Sequence, residues 1–507
     1  MKKENLPQEV RVRIAPSPTG PYHIGGARSA LYNYLFAKKH GGKFILRIED
    51  TDKQRSELQW AIDAMDSLKW LGINWDEGPD IGGEYGPYKQ SQKLNVYEDY
   101  LKKLLANGKA YYCFCSAEDL EARRQDQMTR GQAPIYDGRC SRLSKTEIEK
   151  NLSENKPSII RFKIASKKVG FHDLIRGDVE FDTGLLGDIV IAKDLQSPLY
   201  HFVVIIDDFE MKISHVIRGE EHLPNTARQI LIQEALDFPQ PIYAHLPLML
   251  NADRSKMSKR KNDVAVSEYK KAGYLPEAIV NFMVLLGWNP GTEKEIFTMH
   301  ELEKEFSLDK VQKAGAVFNV LKLDNINGYY IREKSIKKLT ELCLPYFVEA
   351  GFIEVGESDQ KIKATGEEIS NLKLQEIVQA YKTRLKKLSE IVEMTDFFFK
   401  NKVEFDKNLM KWKEMQDADV KEALLLCDKT LSEFEIWDIK KIEETMMSRA
   451  VEFNLQKGYP EKNRGYMLWP LRVALSGKQA SANPFEIMQI LGKEKTLQRI
   501  KDGIELL

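Results

Sequence analysis

A strand–loop–helix–strand pattern near the start of the chain restricts the fold more than any other feature. Residues 10–14 alternate apolar and charged side chains, which predicts a strand. Residues 15–20 include two prolines and a glycine, which disfavour regular structure. A helical apolar face follows and ends at Gly41 and Gly42, and the apolar run at residues 43–48 predicts a buried strand. We therefore expect a βαβ unit whose first loop lies at the ligand-binding carboxyl edge of a parallel sheet.

The later segments differ from this unit in their patterns. Residues 90–196 mix charges, short apolar stretches and three cysteines, which indicates an insertion. Apolar density at residues 201–206 and 213–217 predicts strands that complete the sheet. From about residue 261 the pattern is almost entirely helical, with clear examples at residues 372–394 and 443–453. The predicted fold class is multidomain α/β plus all-α, with a Rossmann-type domain split by an α+β insertion and followed by helical domains.

Composition limits the class of protein. At about 100–200 residues per domain, 507 residues predict about three to five domains. The formal net charge of +0 excludes a histone-like polycation, but it allows a nucleic acid to bind a local basic stripe. Five cysteines are too few for a disulfide framework, and no apolar run approaches the roughly 18 residues of a membrane span. With no apolar signal segment in residues 1–10, we expect a cytoplasmic protein without membrane contact.

The segment PSPTGPYHIGG has the composition of a phosphate-binding loop. Ser17 and Thr19 offer hydroxyl groups, and Gly25 and Gly26 allow an anion to approach the backbone at a helix start. His23 could donate a hydrogen bond to a phosphate oxygen. The alternative is an ordinary turn, but the density of these residue types directly after a strand favours phosphate binding.

A second segment, DRSKMSKRK, is strongly basic. Five of the eight residues from 254 to 261 are cationic and none is acidic. A basic loop is often only solvated surface. Lysines and serines on one loop can also neutralise a triphosphate as charge builds on the leaving pyrophosphate.

Together, PSPTGPYHIGG and KMSKR resemble the HIGH and KMSKS signatures of class I aminoacyl-tRNA synthetases. Longer segments, such as FILRIEDTD, AGYLPEAIVNFMVLLGWNP and PLRVALSGKQASANPFEIMQILGKEKTLQRI, resemble bacterial glutamyl-tRNA synthetases nearly end to end. Gly26 stands where the HIGH signature has its last histidine, as is usual in this subfamily.

The resemblance implies a ligase that uses ATP to form glutamyl-adenylate and then acylates the 3'-terminal ribose of tRNA-Glu. Its implied catalytic residues are His23, Lys256 and Lys259, and Mg²⁺ would accompany ATP without an all-protein cage. The implied ATP contacts are Ser17, Thr19, His23, Gly25, Gly26 and Lys259. We also expect a monomer.

Glutamate carries one ammonium and two carboxylates, so its pocket should offer one anion and two cations. The resemblance implies six pocket positions, with Val204 only as lining: Arg13, Ser17, Glu49, Tyr200, Val204 and Arg218. Glu49 and Ser17 would hold the ammonium, and Tyr200 would donate its hydroxyl. Arg13 is favoured for the α-carboxylate and Arg218 for the side-chain carboxylate, although the reverse assignment stays open. Without the resemblance, surface ion pairs would explain these charges.

The resemblance also draws attention to a cysteine cluster and to a basic helical stretch. Cys113, Cys115 and Cys140 resemble a zinc site of some relatives, but Arg142 occupies the usual fourth position. Tyr136 is another candidate ligand, and a phenol is unusual in structural zinc sites. From the sequence we therefore expect reduced thiols and no zinc.

Arg384 lies on a basic helical stretch at residues 381–387, at the place of an anticodon-reading arginine in some relatives. An exposed soluble face is the alternative. The expected domains are a first catalytic half at 1–89, an acceptor-stem insertion at 90–196, a second catalytic half at 197–254, a stem-contact domain with the KMSKR loop at 255–335 and an anticodon-binding region at 336–507.

Rival functions remain within this interpretation. The nearest is a relaxed-specificity enzyme that also charges tRNA-Gln with glutamate. A small-molecule nucleotidyltransferase with the same motifs would not need the helical C-terminal half. The length of the chain argues against a shortened relative that modifies a tRNA base, and the intact motifs argue against a catalytically dead tRNA-binding protein.

Overall fold

The computed structural model describes residues 9–52, 54–257, 264–356 and 360–507. The chain forms two compact units. The first comprises Met1–Lys270 and Pro276–Ile326, and the second comprises Lys271–Leu275 and Asn327–Leu507. In these described ranges, no helix combines the length and apolar character needed to cross a bilayer.

The strands are short and lie mostly in the first unit. They are β1 (Arg11–Ile14), β2 (Lys43–Leu46), β3 (Ala110–Cys113), β4 (Ile159–Phe162), β5 (Lys168–Asp173), β6 (Gly177–Asp182), β7 (Ile189–Ala192), β8 (His215–Gly219), β9 (Ile242–Leu246), β10 (Met249–Leu250), β11 (Ala316–Val317), β12 (Ile353–Val355), β13 (Gln360–Ile362) and β14 (Glu368–Ile369).

Helices account for most of the regular structure. They are α1 (Ile24–Lys39), α2 (Leu58–Trp70), α3 (Leu94–Ala106), α4 (Ala117–Thr129), α5 (Lys145–Ser153), α6 (Tyr200–Glu210), α7 (Leu223–Leu236), α8 (Val266–Lys271), α9 (Pro276–Leu285), α10 (Met299–Glu305), α11 (Val320–Glu333), α12 (Ile336–Glu349), α13 (Asn371–Tyr381), α14 (Glu390–Thr395), α15 (Asp417–Ser432), α16 (Ile439–Lys457), α17 (Gly465–Ser476) and α18 (Pro484–Glu505).

The predicted βαβ unit is confirmed. Strands β1 and β2 pair in parallel, and α1 connects them. Two adjacent glycines make the return from α1 to β2 for different reasons. Gly41 adopts a φ of +62°, which favours glycine, and its Cβ position is open. At Gly42 an added Cβ would lie 2.8 Å from the Cβ of Val10, so the neighbouring strand excludes a side chain.

The strand predicted at residues 213–217 is confirmed as β8, but it belongs to a second sheet of order β6-β5-β9-β8, which is separate from the β1–β2 pair. Strands β8 and β9 pair in parallel, with Arg218 opposite His245. The backbone N–H of Ser214 donates to the carbonyl of Arg11 at 2.9 Å, which ties the start of β8 to β1. The insertion itself adds β5, which pairs in parallel with β9 at Asp173, and its antiparallel partner β6. Strands β3, β4 and β7 form a separate antiparallel sheet within the insertion.

Three secondary-structure predictions need correction. Residues 201–206 belong to helix α6, not to a strand, and Phe202–Asp208 are all buried there. A helix buried on all sides has the same continuous apolar run as a buried strand. The helix predicted at residues 372–394 is interrupted between α13 and α14. The C-terminal half is also not purely helical, because β12, β13 and β14 form an antiparallel sheet.

Candidate functional site

The PSPTGPYHIGG segment joins β1 to α1, and His23 caps the helix. The backbone N–H of Gly25 donates to Nδ1 of His23 at 2.8 Å. In the neutral ring the hydrogen therefore sits on Nε2, which makes that nitrogen a donor. An added Cβ at residue 25 would lie 3.0 Å from Nδ1 of His23, so glycine lets the ring approach the helix start. The N–H groups and dipole of α1 favour an anion at the same place.

A cavity of about 630 Å³ lies where the chain leaves β1 and β2, at the predicted edge of the sheet. Four of the predicted site residues line it: Ser17, Thr19, Glu49 and Tyr200. The side chain of Val204 is almost fully buried on α6 and is not part of this lining. The cavity also has lining residues that no sequence pattern indicated, among them Gln90, Lys193 and His222.

A buried ion-pair network reaches the cavity at Glu49, whereas its other members, Arg13, Arg47 and Asp208, are not part of the lining. Arg13 donates to both carboxylate oxygens of Asp208, at 2.9 and 3.1 Å. Arg47 donates to Asp208 at 2.7 Å and to Glu49 at 3.1 Å. Burial raises the pKa of Glu49, although Arg47 opposes this shift. A bound ammonium group would therefore stabilise the ionised form of Glu49. Arg47 and Asp208 were not predicted, because their pairing joins distant parts of the chain.

Arg218 has a different environment from Arg13. It is buried, and its Nη2 donates to Thr226 and Gln229 at 2.7 Å each. Among the described residues, no carboxylate lies within 4.0 Å of its guanidinium nitrogens. The charge of Arg13 is compensated within the protein, whereas that of Arg218 is compensated only at longer range.

Tyr200 and His222 meet at the cavity wall. The hydroxyl of Tyr200 lies 3.2 Å from Nδ1 of His222. Burial, together with the charges of Arg218 and Arg13, lowers the pKa of His222 to about 3. His222 is therefore a neutral hydrogen-bonding group at physiological pH.

Described residues on both sides of the KMSKR segment make defined backbone contacts. Lys256 is exposed and pairs with Leu250 in an antiparallel bridge. On the far side of this segment, the carbonyl of Val264 accepts from the N–H of Ile24 at 2.8 Å, and Ala265 bridges His23. The fold thus brings the residues that follow the KMSKR segment against the His23 loop. Lys259 lies outside the described residues.

The predicted cysteine cluster is assembled. The sulfurs of Cys113, Cys115 and Cys140 all lie within 4.8 Å of one another, and those of Cys115 and Cys140 are 3.6 Å apart. The hydroxyl of Tyr136 lies 3.3 Å from the sulfur of Cys113 and 3.5 Å from that of Cys115. Four donor atoms therefore converge, with Tyr136 in place of a ligand at residue 142. This set fits a tetrahedral zinc ion, which competes with the expectation of reduced thiols.

In the second unit, Arg384 lines a cavity of about 390 Å³. Its guanidinium also donates to the carbonyl of Ser481, which fixes its position. Two tryptophans and two further arginines share the lining: Trp412, Trp469, Arg464 and Arg472. The tryptophan rings have centroids 4.7 Å apart. Aromatic rings beside arginines can stack and pair with unstacked nucleobases.

Known protein families match both parts of the chain. The family model described as the catalytic domain of class I tRNA synthetases (E and Q) matches residues 9–325. The family model described as an anticodon binding domain matches residues 338–504.

Whole proteins match as well. A glutamate–tRNA ligase of Caldicellulosiruptor saccharolyticus is 45% identical over 97% of this chain and 98% of its own. One from Carboxydothermus hydrogenoformans is 44% identical over 97% of this chain and 99% of its own. Among solved structures, a glutamate tRNA ligase from Elizabethkingia meningosepticum, in complex with its amino acid, has a TM-score of 0.84 and 35% identity, covering 98% of this chain and 99% of that one. The chain therefore belongs to the class I tRNA synthetases of the E and Q group.

Proposed function

We propose that the chain is a glutamate–tRNA ligase that forms glutamyl-adenylate at the 630 Å³ cavity and transfers the glutamyl group to tRNA-Glu. The observation that carries this proposal is the position of the cavity. It lies at the carboxyl edge of the sheet, and Ser17, Thr19, Glu49 and Tyr200 line it. The fold also brings the His23 loop beside the residues that follow the KMSKR segment. The near-complete match to glutamate–tRNA ligases supports the same activity.

In the first step, an α-carboxylate oxygen of glutamate attacks the α-phosphorus of ATP, and pyrophosphate leaves. Negative charge accumulates on the phosphate oxygens. We propose that four groups stabilise this charge: the ring Nε2–H of His23, the amino end of α1, Lys256 and Lys259. Mg²⁺ would accompany the triphosphate and neutralise part of its charge.

In the second step, a hydroxyl of the terminal ribose attacks the acyl carbon of the adenylate. An ester bond forms, and AMP leaves with the former anhydride oxygen. Neither step needs a covalent bond to the enzyme, so the protein contributes positioning and electrostatic stabilisation.

Recognition of glutamate follows from the charges around the cavity. Glu49 is proposed to bind the ammonium group, with Ser17 beside it on the lining. We assign Arg218 to the side-chain carboxylate, because its buried charge has no carboxylate partner among the described residues. Arg13 is proposed for the α-carboxylate, although Asp208 already compensates much of its charge.

The remaining assignments concern the tRNA. Residues 90–196 are proposed to bind the acceptor stem, residues 255–335 to contact the stem, and residues 336–507 to bind the anticodon. Arg384 would contact an anticodon base from the cavity it shares with Trp412 and Trp469. A monomer in the cytoplasm is the proposed form.

A charging assay with purified tRNA-Glu and tRNA-Gln tests the function and separates its main rival. We expect ATP-dependent glutamylation of tRNA-Glu, and a Glu49→Gln variant of normal thermal stability should lose most of it. Equal charging of tRNA-Gln would identify the relaxed-specificity form. Adenylate formation without transfer to either tRNA would contradict the proposal and favour a small-molecule nucleotidyltransferase.

A further inference from the structure

The side chains behind Arg218 form a buried chain of hydrogen bonds. The Nε–H of Arg218 donates to Nε2 of His245 at 3.3 Å. On the other side of the ring, Nδ1 of His245 lies 2.6 Å from Oδ2 of Asp173. His245 and Asp173 are both fully buried. These hydrogen bonds link β5, a strand of the insertion, to β9 of the catalytic domain, and β9 to β8.

The protonation states of Asp173 and His245 follow from their contacts. Burial disfavours the ionised form of Asp173, but the bonds from His245 and from the N–H groups of Ile175 and Arg176 outweigh it and hold its pKa below the ordinary value. Burial and the nearby Arg218 lower the pKa of His245, although Asp173 opposes the shift. The ring is therefore neutral, donates from Nδ1 to Asp173 and accepts at Nε2, which also lies 3.0 Å from the hydroxyl oxygen of Thr226.

A neutral acceptor has an effect on Arg218 that a carboxylate would not have. It fixes the plane of the guanidinium without cancelling its charge. Thr226 and Gln229, which accept from Nη2, are also neutral groups. Nη1 donates to none of the described residues, so its hydrogens remain for a ligand. Arg13 differs, because it donates two hydrogen bonds to the carboxylate of Asp208, which compensates its charge.

We propose that His245, with its tautomer set by Asp173, is a positioning residue that orients Arg218 for the side-chain carboxylate of the substrate and thereby sets the preference for glutamate over glutamine. This inference rests on the proposed role of Arg218 as the reader of that carboxylate. His245 itself does not need to touch the substrate.

Kinetics of pyrophosphate exchange, measured with tRNA present, test this role. His245→Leu removes the acceptor of the Nε–H, so Arg218 keeps only the hydrogen bonds from Nη2 to Thr226 and Gln229, and its guanidinium is held less firmly. We expect kcat/KM for glutamate to fall by about tenfold or more, mainly through a higher KM, because a buried donor loses its partner. Glutamine has no charge that requires Arg218, so its kcat/KM should change less and the glutamate/glutamine ratio should fall. The KM for ATP should stay unchanged.

Two conservative variants keep the proposal testable if His245→Leu does not fold. His245→Gln can place an amide oxygen near the former Nε2, and we expect it to recover part of the ratio. Asp173→Asn keeps the shape but allows the tautomer with hydrogen on Nε2, which would face the Nε–H of Arg218. Its ratio should therefore fall as well. Thermal unfolding of each variant identifies those that fold.

Tyr243→Phe is the matched control. Tyr243 lies two residues before His245 on β9, is buried, and donates to Gln233 at 3.2 Å. Its ring stacks on His245 and lies 5.9 Å from the Arg218 guanidinium, and phenylalanine keeps both ring contacts. The loss of its hydroxyl removes a buried hydrogen bond from the same strand but should leave the glutamate/glutamine ratio unchanged. A lower ratio in Tyr243→Phe equal to that in His245→Leu would overturn the proposal. A second outcome would also overturn it: variants of His245 and Asp173 whose kcat falls equally for glutamate and glutamine while KM stays unchanged.

Arg218→Gln separates this inference from the proposed function. If it erodes the ratio while the His245 variants retain it, Arg218 reads the carboxylate and the positioning role is wrong. If Arg218→Gln keeps the ratio, the assignment of Arg218 fails, and the role of His245 fails with it.

Discussion

At the scale of single residues, burial and partner choice decide which charges are available to a substrate. The local pattern indicated Ser17 and Thr19, the family resemblance implied Glu49, and the fold brings all three to one cavity. The pairing of Arg13 with Asp208 could not be predicted, because 195 residues separate the partners. Only the tertiary structure shows that Arg13 is neutralised and Arg218 is not.

Lys259 carries a prediction that rests on the KMSKR signature. Its proposed role is to stabilise charge that develops on the leaving pyrophosphate, so Lys259→Ala should slow adenylate formation about 10²–10³-fold. Glutamate binding should change little, because this charge is absent from the ground state. Pyrophosphate exchange with tRNA present measures the rate. Lys271→Ala, which alters an exposed lysine of α8, is the control, and a normal rate in Lys259→Ala would refute the role.

At the scale of elements, the sequence predicted structure well where local signals act alone. The loop after β1, the start of α1 and the glycines after it fixed the βαβ unit. Helix α6 was mistaken for a strand because its apolar run is continuous. The helix predicted over residues 372–394 contains no proline or glycine that would break it. It breaks because backbone groups near Leu388 bind elsewhere, as in the bond from Leu388 N–H to the carbonyl of Gly273 at 3.0 Å.

The cysteine cluster gives a prediction for the insertion. Helix α4 contributes no buried residue, so ordinary packing holds the segment between Cys115 and Cys140 only weakly. The convergence of three sulfurs and the Tyr136 hydroxyl leads us to expect about one zinc per chain, which would cross-link this segment. Elemental analysis after dialysis measures the metal, and limited proteolysis after chelation should show faster cleavage within the segment.

Variants make this test specific. Cys140→Ser and Tyr136→Phe should both lower the zinc content. Cys343→Ala removes a buried thiol far from the cluster in sequence and should leave it unchanged. Zinc-free wild-type protein would instead support the expectation of reduced thiols.

At the scale of the whole molecule, long-range hydrogen bonds decide which segments belong together. Lys271–Leu275 groups with the second unit although it lies within the sequence of the first. The N–H of Leu275 donates to the side chain of Asn327 at 2.8 Å, which is one bond of this grouping. No local pattern at residues 271–275 could indicate a partner about 50 residues away.

Arg384 carries a prediction for the second unit. If its cavity binds an anticodon base, Arg384→Ala should raise the KM for tRNA-Glu roughly tenfold, since an arginine–base contact is lost. The KM values for ATP and glutamate should not change. Arg449→Ala, which removes a partly exposed arginine paired with Glu452 on α16, is the matched control. Equal effects of the two variants would mean that Arg384 contributes only general surface charge.

The paired glycines after α1 have a consequence for how freely this chain can vary. A library that randomises codons 41 and 42 should yield two distinct profiles among active clones. Asparagine and aspartate should survive at position 41, because they tolerate a φ of +62° and the space there is open. Position 42 should accept glycine alone, since any side chain would collide with Val10, the residue directly before β1. Gly41 and Gly42 are thus favoured for different reasons: the first for its backbone conformation, the second for the lack of space beside Val10.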